Sequence, residues 1–87
     1  MECIYVHKTN LEEAHKLLKE NLAEIEGGSG IETTIREVSD EECAGTEYIP
    51  AVVRAIEFPD DDGDVDYEEY EDIRDSIERR YGLCLGD

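Results

Sequence analysis

The sequence predicts a small α+β domain of two layers: one small mixed sheet with two helices packed on one face, in the order β-α-β-β-α-(β). Three observations predict it. Two stretches, 11–25 and 67–81, repeat apolar residues at three- and four-residue spacing, so each makes a helix with a single stripe to bury. Three others, 2–7, 31–38 and 48–58, alternate or are rich in β-branched residues. A chain of 87 residues supplies one modest core and no second, so residues 1–87 form one domain with an acidic loop at 59–66. Charged residues make up 38% of the chain against 39% hydrophobic, a balance that leans towards disorder. The acidic residues lie between the apolar stripes instead of replacing them, and that decides for a folded chain.

In the first strand, Ile4 and Val6 share one face and Cys3, Tyr5 and His7 the other. Asn10 reads as an N-cap, with Glu13 completing a variant capping box. The following helix buries Leu11, Ala14, Leu18, Leu22 and Ile25, widened by Leu17, and shows Glu12, Glu13, Lys16, Lys19 and Glu20 to water. Gly27-Gly28-Ser29-Gly30 ends it. Residues 31–38 read as a half-exposed strand and 39–47 as an acidic loop or short irregular helix. The most apolar stretch, 48–58, reads as the central strand. Its pairing starts only after Pro50, which has no N–H to donate. Val52, Ile56 and Phe58 are expected on one face, Ala51, Val53 and Ala55 on the other. Asp66 caps the last helix, with Glu69 as the third residue of a second capping box. Its stripe is Tyr67, Tyr70, Ile73, Ile77 and Tyr81, and Arg79 and Arg80 suit the negative end of its dipole. Gly82 closes it, and residues 83–85 supply an optional final strand.

The net charge is −17, with 25 acidic and 8 basic side chains. That excludes direct nucleic-acid binding, which needs Lys and Arg against phosphate, and disfavours anionic membrane surfaces. It points to cations or a basic protein as partners, and a monomer is expected. Cys3, Cys43 and Cys84 are odd in number, far apart and form no CxxC, which fits a reduced cytoplasmic setting. The first ten residues lack the pattern of a signal peptide, and no run approaches the ~20 apolar residues of a membrane span. No nucleophile elbow, phosphate loop or dinucleotide motif occurs, and the cysteines and histidines match no zinc spacing, so no enzymatic activity is expected.

The most specific feature is Asp60-Asp61-Asp62-Gly63-Asp64-Val65-Asp66-Tyr67-Glu68-Glu69. Carboxylates at alternate positions around a glycine can turn oxygens towards one centre, as a hard cation requires. With Gly63 at the sixth position, the spacing resembles that of an EF-hand calcium loop: Asp60 and Asp62 fall at three and five, Asp64 at seven, Asp66 at nine and Glu69 at twelve. Position one is Phe58, and a strand with Pro59 stands where the entering helix should be. The resemblance is therefore to ligand spacing alone, and a site lacking its first ligand would be weak, on the order of 10⁻⁵ to 10⁻³ M.

Two whole-chain resemblances follow. The order strand, helix, strand, then Ile49-Pro50-Ala51-Val52 is similar to the thioredoxin-like family, which implies a cis Pro50. His7-Lys8-Thr9-Asn10 stands where that family carries its dithiol, so a member here would be redox-inactive. The aspartate run, the Glu-rich helices and the charge of −17 resemble the small, highly acidic single-domain proteins of methanogenic archaea, one group of which binds calcium. That resemblance implies a two-layer α+β domain in a potassium-rich cytoplasm and high thermal stability.

The expected function is divalent-cation binding, calcium preferred, through Asp60, Asp62, Asp64, Asp66 and Glu69, in a structural or buffering role. The alternatives are an acidic nucleic-acid mimic that occupies a basic protein, or a redox-inactive thioredoxin-like adaptor. A mimic requires Glu37, Asp40, Glu41 and Glu42 to continue the loop's carboxylates in one surface row.

Overall fold

The computed structural model describes residues 2–59 and 65–85. The elements are β1 (Glu2–His7), α1 (Leu11–Glu24), β2 (Thr34–Glu37), α2 (Asp40–Cys43), β3 (Val53–Phe58) and α3 (Tyr67–Tyr81). The α+β class and the element order are as the sequence predicts. The strands lie in the order β1-β3-β2. The sheet is antiparallel where a mixed one was expected, because β3 inserts between β1 and β2 and runs against both. β1 and β2 thus run parallel without touching, joined by the α1 crossover, which is the split β-α-β arrangement. The expected final strand shrinks to a bridge between Val6 and Gly82, continued by the Leu83 amide donating to the Tyr5 carbonyl at 2.7 Å.

Alternation along the strands produces two cores. Ile4 and Val6 of β1 and Ile56 and Phe58 of β3 face the helices, where they meet Ala14, Leu18 and Leu22 of α1 and Tyr70 and Ile77 of α3. On the other face Val53 and Ala55 pack with Val38 and Cys43, and are covered by Tyr5, Tyr48, Leu83 and Leu85. That second face is not bare, as a plain two-layer reading would leave it. Residues 38–52 and the C-terminal tail form a thin lid over it. Val52 belongs to this lid and not to the helix side, because Pro50–Val52 is a 3-10 turn in which strand alternation does not apply. Pro50 sits at the start of that turn, pairing begins at Val53 opposite His7, and the Ile49–Pro50 bond is trans, unlike the cis bond the thioredoxin-like resemblance implies.

Caps follow local backbone. Asn10 makes no side-chain cap, since its φ of −103° and ψ of −3° continue a turn closed by its own amide on the His7 carbonyl. A side-chain cap needs the extended conformation instead. Ser39 has that conformation and forms a full capping box with Glu42 on α2. After α1, Gly27 adopts a left-handed φ of 80°, and a β-carbon on Gly28 would lie 1.9 Å from the Leu22 carbonyl oxygen. The Gly-rich stop is therefore needed at both positions.

Phe58 is 1% exposed and meets Tyr70 edge to face. Phe58→Ala is expected to cost about 3–5 kcal/mol, a large part of the roughly 5–10 kcal/mol available to a domain of this size. Urea unfolding measures it, and a loss under about 1 kcal/mol, the size of an ordinary surface change, would contradict the packing described.

Candidate metal-binding loop and the charged surface

The acidic loop leaves β3 at Phe58 and Pro59 and rejoins described structure at Val65 and Asp66. Its stems are tied together. The Phe58 and Tyr70 rings meet with centroids 6.0 Å apart, and the Tyr70 hydroxyl donates to the Pro59 carbonyl at 2.6 Å. Val65 packs against the helix-side core. Both ends are thus held by the same buried cluster, at the end of the sheet where α3 begins.

Of the predicted ligands, Asp60, Asp62 and Asp64 lie outside the described residues. Asp66 and Glu69 are described, and both are exposed. Asp66 is the N-cap of α3, as expected, and one of its carboxylate oxygens accepts from the Glu68 amide at 3.0 Å. Its partner is the second helical residue, so the predicted box with Glu69 is replaced by a single cap. Glu69 stands in the first turn beside Glu68. Among the described residues, no three His, Cys, Asp or Glu side chains converge in a way that could hold a metal ion.

A second charged constellation was not foreseen. Arg36 on β2 makes a bidentate pair with Glu42, both contacts at 2.9 Å, and its Nε reaches Glu57 on β3, also at 2.9 Å. The Tyr5 hydroxyl on β1 donates to the same Glu42 carboxylate at 2.6 Å. Arg36, then Tyr5, hold the Glu42 carboxyl well below the usual carboxylate range. In return the hydrogen bonds to Glu42 and Glu57 raise the Arg36 guanidinium. The Tyr5 phenol is pushed up, first by its hydrogen bond to Glu42, then by Cys3 and by burial. Arg36 and Tyr5 together therefore tie the three strands to α2 through the Glu42 carboxylate. The pattern Ser39-x-x-Glu42 was the sequence signal for it, since a box on a short helix fixes where Glu42 points.

The strand register also settles how the acids are distributed. Glu37 pairs with Arg54 near the start of β3, whereas the acidic loop follows Phe58 at its end. Those ends are about 16 Å apart at strand rise. Glu42, one of the residues that a nucleic-acid mimic would need in its row, is already engaged by Arg36 and Tyr5. Exposed carboxylates occur instead on α1 (Glu12, Glu13, Glu20), on α2 (Asp40, Glu41) and on α3 (Glu68, Glu69, Asp72, Asp75). Arg74 is paired with Glu2 and lies 3.7 Å from both Glu71 and Asp75, while Arg54 donates to the carbonyls of Pro50, Ala51 and Val53. His15 bonds Thr33 at 2.6 Å, and burial followed by Lys19 lowers its pKa. Cys43 is buried like a small hydrophobe, Cys3 is half-buried, and Cys84 is exposed. Among the described residues no helix is long and apolar enough to cross a membrane.

The chain matches no family model, no curated protein and no solved structure, so function has to be read from its own side chains.

Because the folded-state pKa of Glu42 is lowered, its contribution to stability is complete above the ordinary value of 4.5 and is lost as pH falls through the lower folded value. Glu42→Gln is expected to cost about 1 kcal/mol near neutrality, since the pair is partly exposed. The gap between wild type and variant should close in acid. Urea midpoints from pH 7 down to pH 2 follow it, and a gap that stays constant would show that the ion pair contributes nothing.

Proposed function

We propose that this chain is a small acidic protein that binds a divalent cation, calcium in preference to magnesium, through Asp60, Asp62, Asp64, Asp66 and Glu69, with a structural or buffering role and no chemistry on a substrate. The observation that carries this reading is alternate carboxylates on a loop whose two stems are pinned by Phe58, Tyr70 and Val65. Carboxylates at alternate positions of one short stretch repel one another unless a cation neutralises them. A carboxylate-rich sequence of this kind suits the variable coordination of calcium better than the strict octahedron of magnesium. Asp66 is compatible with a ligand role, because its cap uses one oxygen and a carboxylate has lone pairs on two. Glu69 falls in the first turn of the exit helix, at the position of the twelfth ligand in the EF-hand-like spacing. The compositional resemblance to acidic archaeal proteins supports the same reading, and a reducing cytoplasm suits three free thiols.

The test is calcium titration at constant ionic strength. Terbium, which takes calcium sites, reports binding by luminescence sensitised through Tyr67 and Tyr70. Amide NMR follows residues 66–69, and thermal unfolding with calcium, magnesium or chelator reports the energetic effect. At a hundredfold excess over the dissociation constant, calcium should stabilise the fold by about 2.7 kcal/mol. Asp62→Asn with Asp64→Asn should weaken binding by about tenfold or more, since ligand charge sets affinity. If amide signals stay fixed to millimolar calcium, or if magnesium and sodium act equally at matched ionic strength, the effect is screening and the proposal fails.

A further inference from the structure

The helix-side face of β2 borders a groove that nothing so far described uses. It lies between α1 and the sheet edge, is lined by Leu11 and Ile35, and has an open volume of about 690 Å³. Ile35 is 42% exposed although it belongs to a strand. The two edges of the sheet also differ. The C-terminal tail bridges β1 at Val6, whereas among the described residues no strand pairs with the outer edge of β2. Unpaired strand edges are templates for another strand, and proteins usually blunt them with charge or cover.

The charges around this groove are unlike those of the rest of the surface. All three lysines of the chain, Lys8, Lys16 and Lys19, line it, together with His15, against only Glu12 and Glu20. Among the described residues no lysine takes part in an ion pair, while Arg36 and Arg74 are paired with carboxylates. On a chain of net charge −17, this rim carries more lysines than carboxylates, so it opposes the approach of a like-charged body less than a purely acidic face would. Glu12, Lys16 and Glu20 follow one another at four-residue intervals along one side of α1, and Lys8, in the turn before it, lines the same groove, giving the sign order plus, minus, plus, minus. Reversed, that order becomes minus, plus, minus, plus. A two-fold axis that runs α1 antiparallel to its copy therefore sets Lys8 against the partner's Glu20, and Glu12 against the partner's Lys16. The same kind of axis pairs two β2 edges antiparallel and covers both Ile35 side chains. An isologous interface demands this self-complementarity of a single patch.

We propose that the groove seats a second copy of this chain, forming a two-fold dimer joined edge to edge through β2, with the Lys8–Glu20 row as its charged rim. The monomer expected from net charge alone overlooks that charge is unevenly spread. Repulsion between the distant acidic faces opposes the dimer, so moderate salt, which screens those faces first, should favour it over low salt.

Sedimentation equilibrium of the full chain, with chelator present to exclude metal bridging, tests this. Self-association should strengthen between low and moderate salt. Lys16→Glu or Glu12→Lys, each placing like charges together twice per dimer, should weaken it by about tenfold or more. The double variant Glu12→Lys with Lys16→Glu restores opposite signs across the axis and should recover the wild-type constant. Ile35→Thr, which keeps a β-branched residue at an exposed position, should abolish association without altering the thermal midpoint of the monomer. A monomer at every salt and concentration, association indifferent to Ile35→Thr, or a double variant no better than the singles would each overturn the proposal. Single variants that shift binding of an acidic peptide but leave the chain monomeric would assign the groove to a different partner and overturn it as well.

Discussion

The structure depends on one strand being buried on both sides. Val53 and Ala55 face the lid and Ile56 and Phe58 face the helices, and all four are 1% exposed or less. β3 accepts strands on both flanks, receives the helical layer on one face and the 38–52 segment on the other, and carries one stem of the acidic loop. Each layer is too small to bury its own apolar surface, so removing β3 would leave two helices and two unpaired strands without a common floor. Its position between β1 and β2 also makes the sheet antiparallel and places the two acidic segments at opposite ends.

Charge is managed around this strand instead of within it. Among the described residues no polar or charged residue is fully buried, so the desolvation cost of the described acids is avoided by keeping them out of the core. Three arginines each hold parts of the fold together. Arg36 joins β2 and β3 to α2, with Tyr5 of β1 on the same Glu42 carboxylate, Arg54 gathers the carbonyls of the turn before β3, and Arg74 reaches from α3 to Glu2 at the start of β1. A planar guanidinium with five donors suits such many-sided contacts, whereas a lysine offers a single solvated point charge. The lysines are correspondingly left on the α1 rim. The division of labour between the two cations gives this acidic surface a patch of mixed sign along α1.

The parts of the fold legible in advance were those written in short-range pattern. The stripes Leu11–Ala14–Leu18–Leu22 and Tyr70–Ile77 became the buried faces of α1 and α3, and the split of Ile4 and Val6 from Cys3 and Tyr5 was read correctly. The failures came where local geometry or distant packing overrode pattern. Asn10 has the right side chain for a cap but a helical backbone. Val52 was assigned by strand alternation but lies in a 3-10 turn. Ile35 has the right phase to be buried but stands on an edge with no fourth layer over it. For the candidate site, Asp66 was recognised as a cap from its type and position. The tie between Tyr70 and Pro59 that holds the loop's stems has no local signature, because it spans eleven residues.

By itself the sequence determined which residues must be inside, where the two long helices run, and that the acids cluster after the most apolar strand. These are consequences of periodicity and of the cost of burying charge, and both act over a few residues. Tertiary structure alone decided that β3 lies between β1 and β2, that Glu42 serves Arg36 and Tyr5 instead of the acidic surface, and that Lys8, Lys16 and Lys19 border an open strand edge. Those facts depend on which elements become neighbours, and neighbours far apart in sequence are chosen by the packing of the whole chain, which no window of local pattern contains.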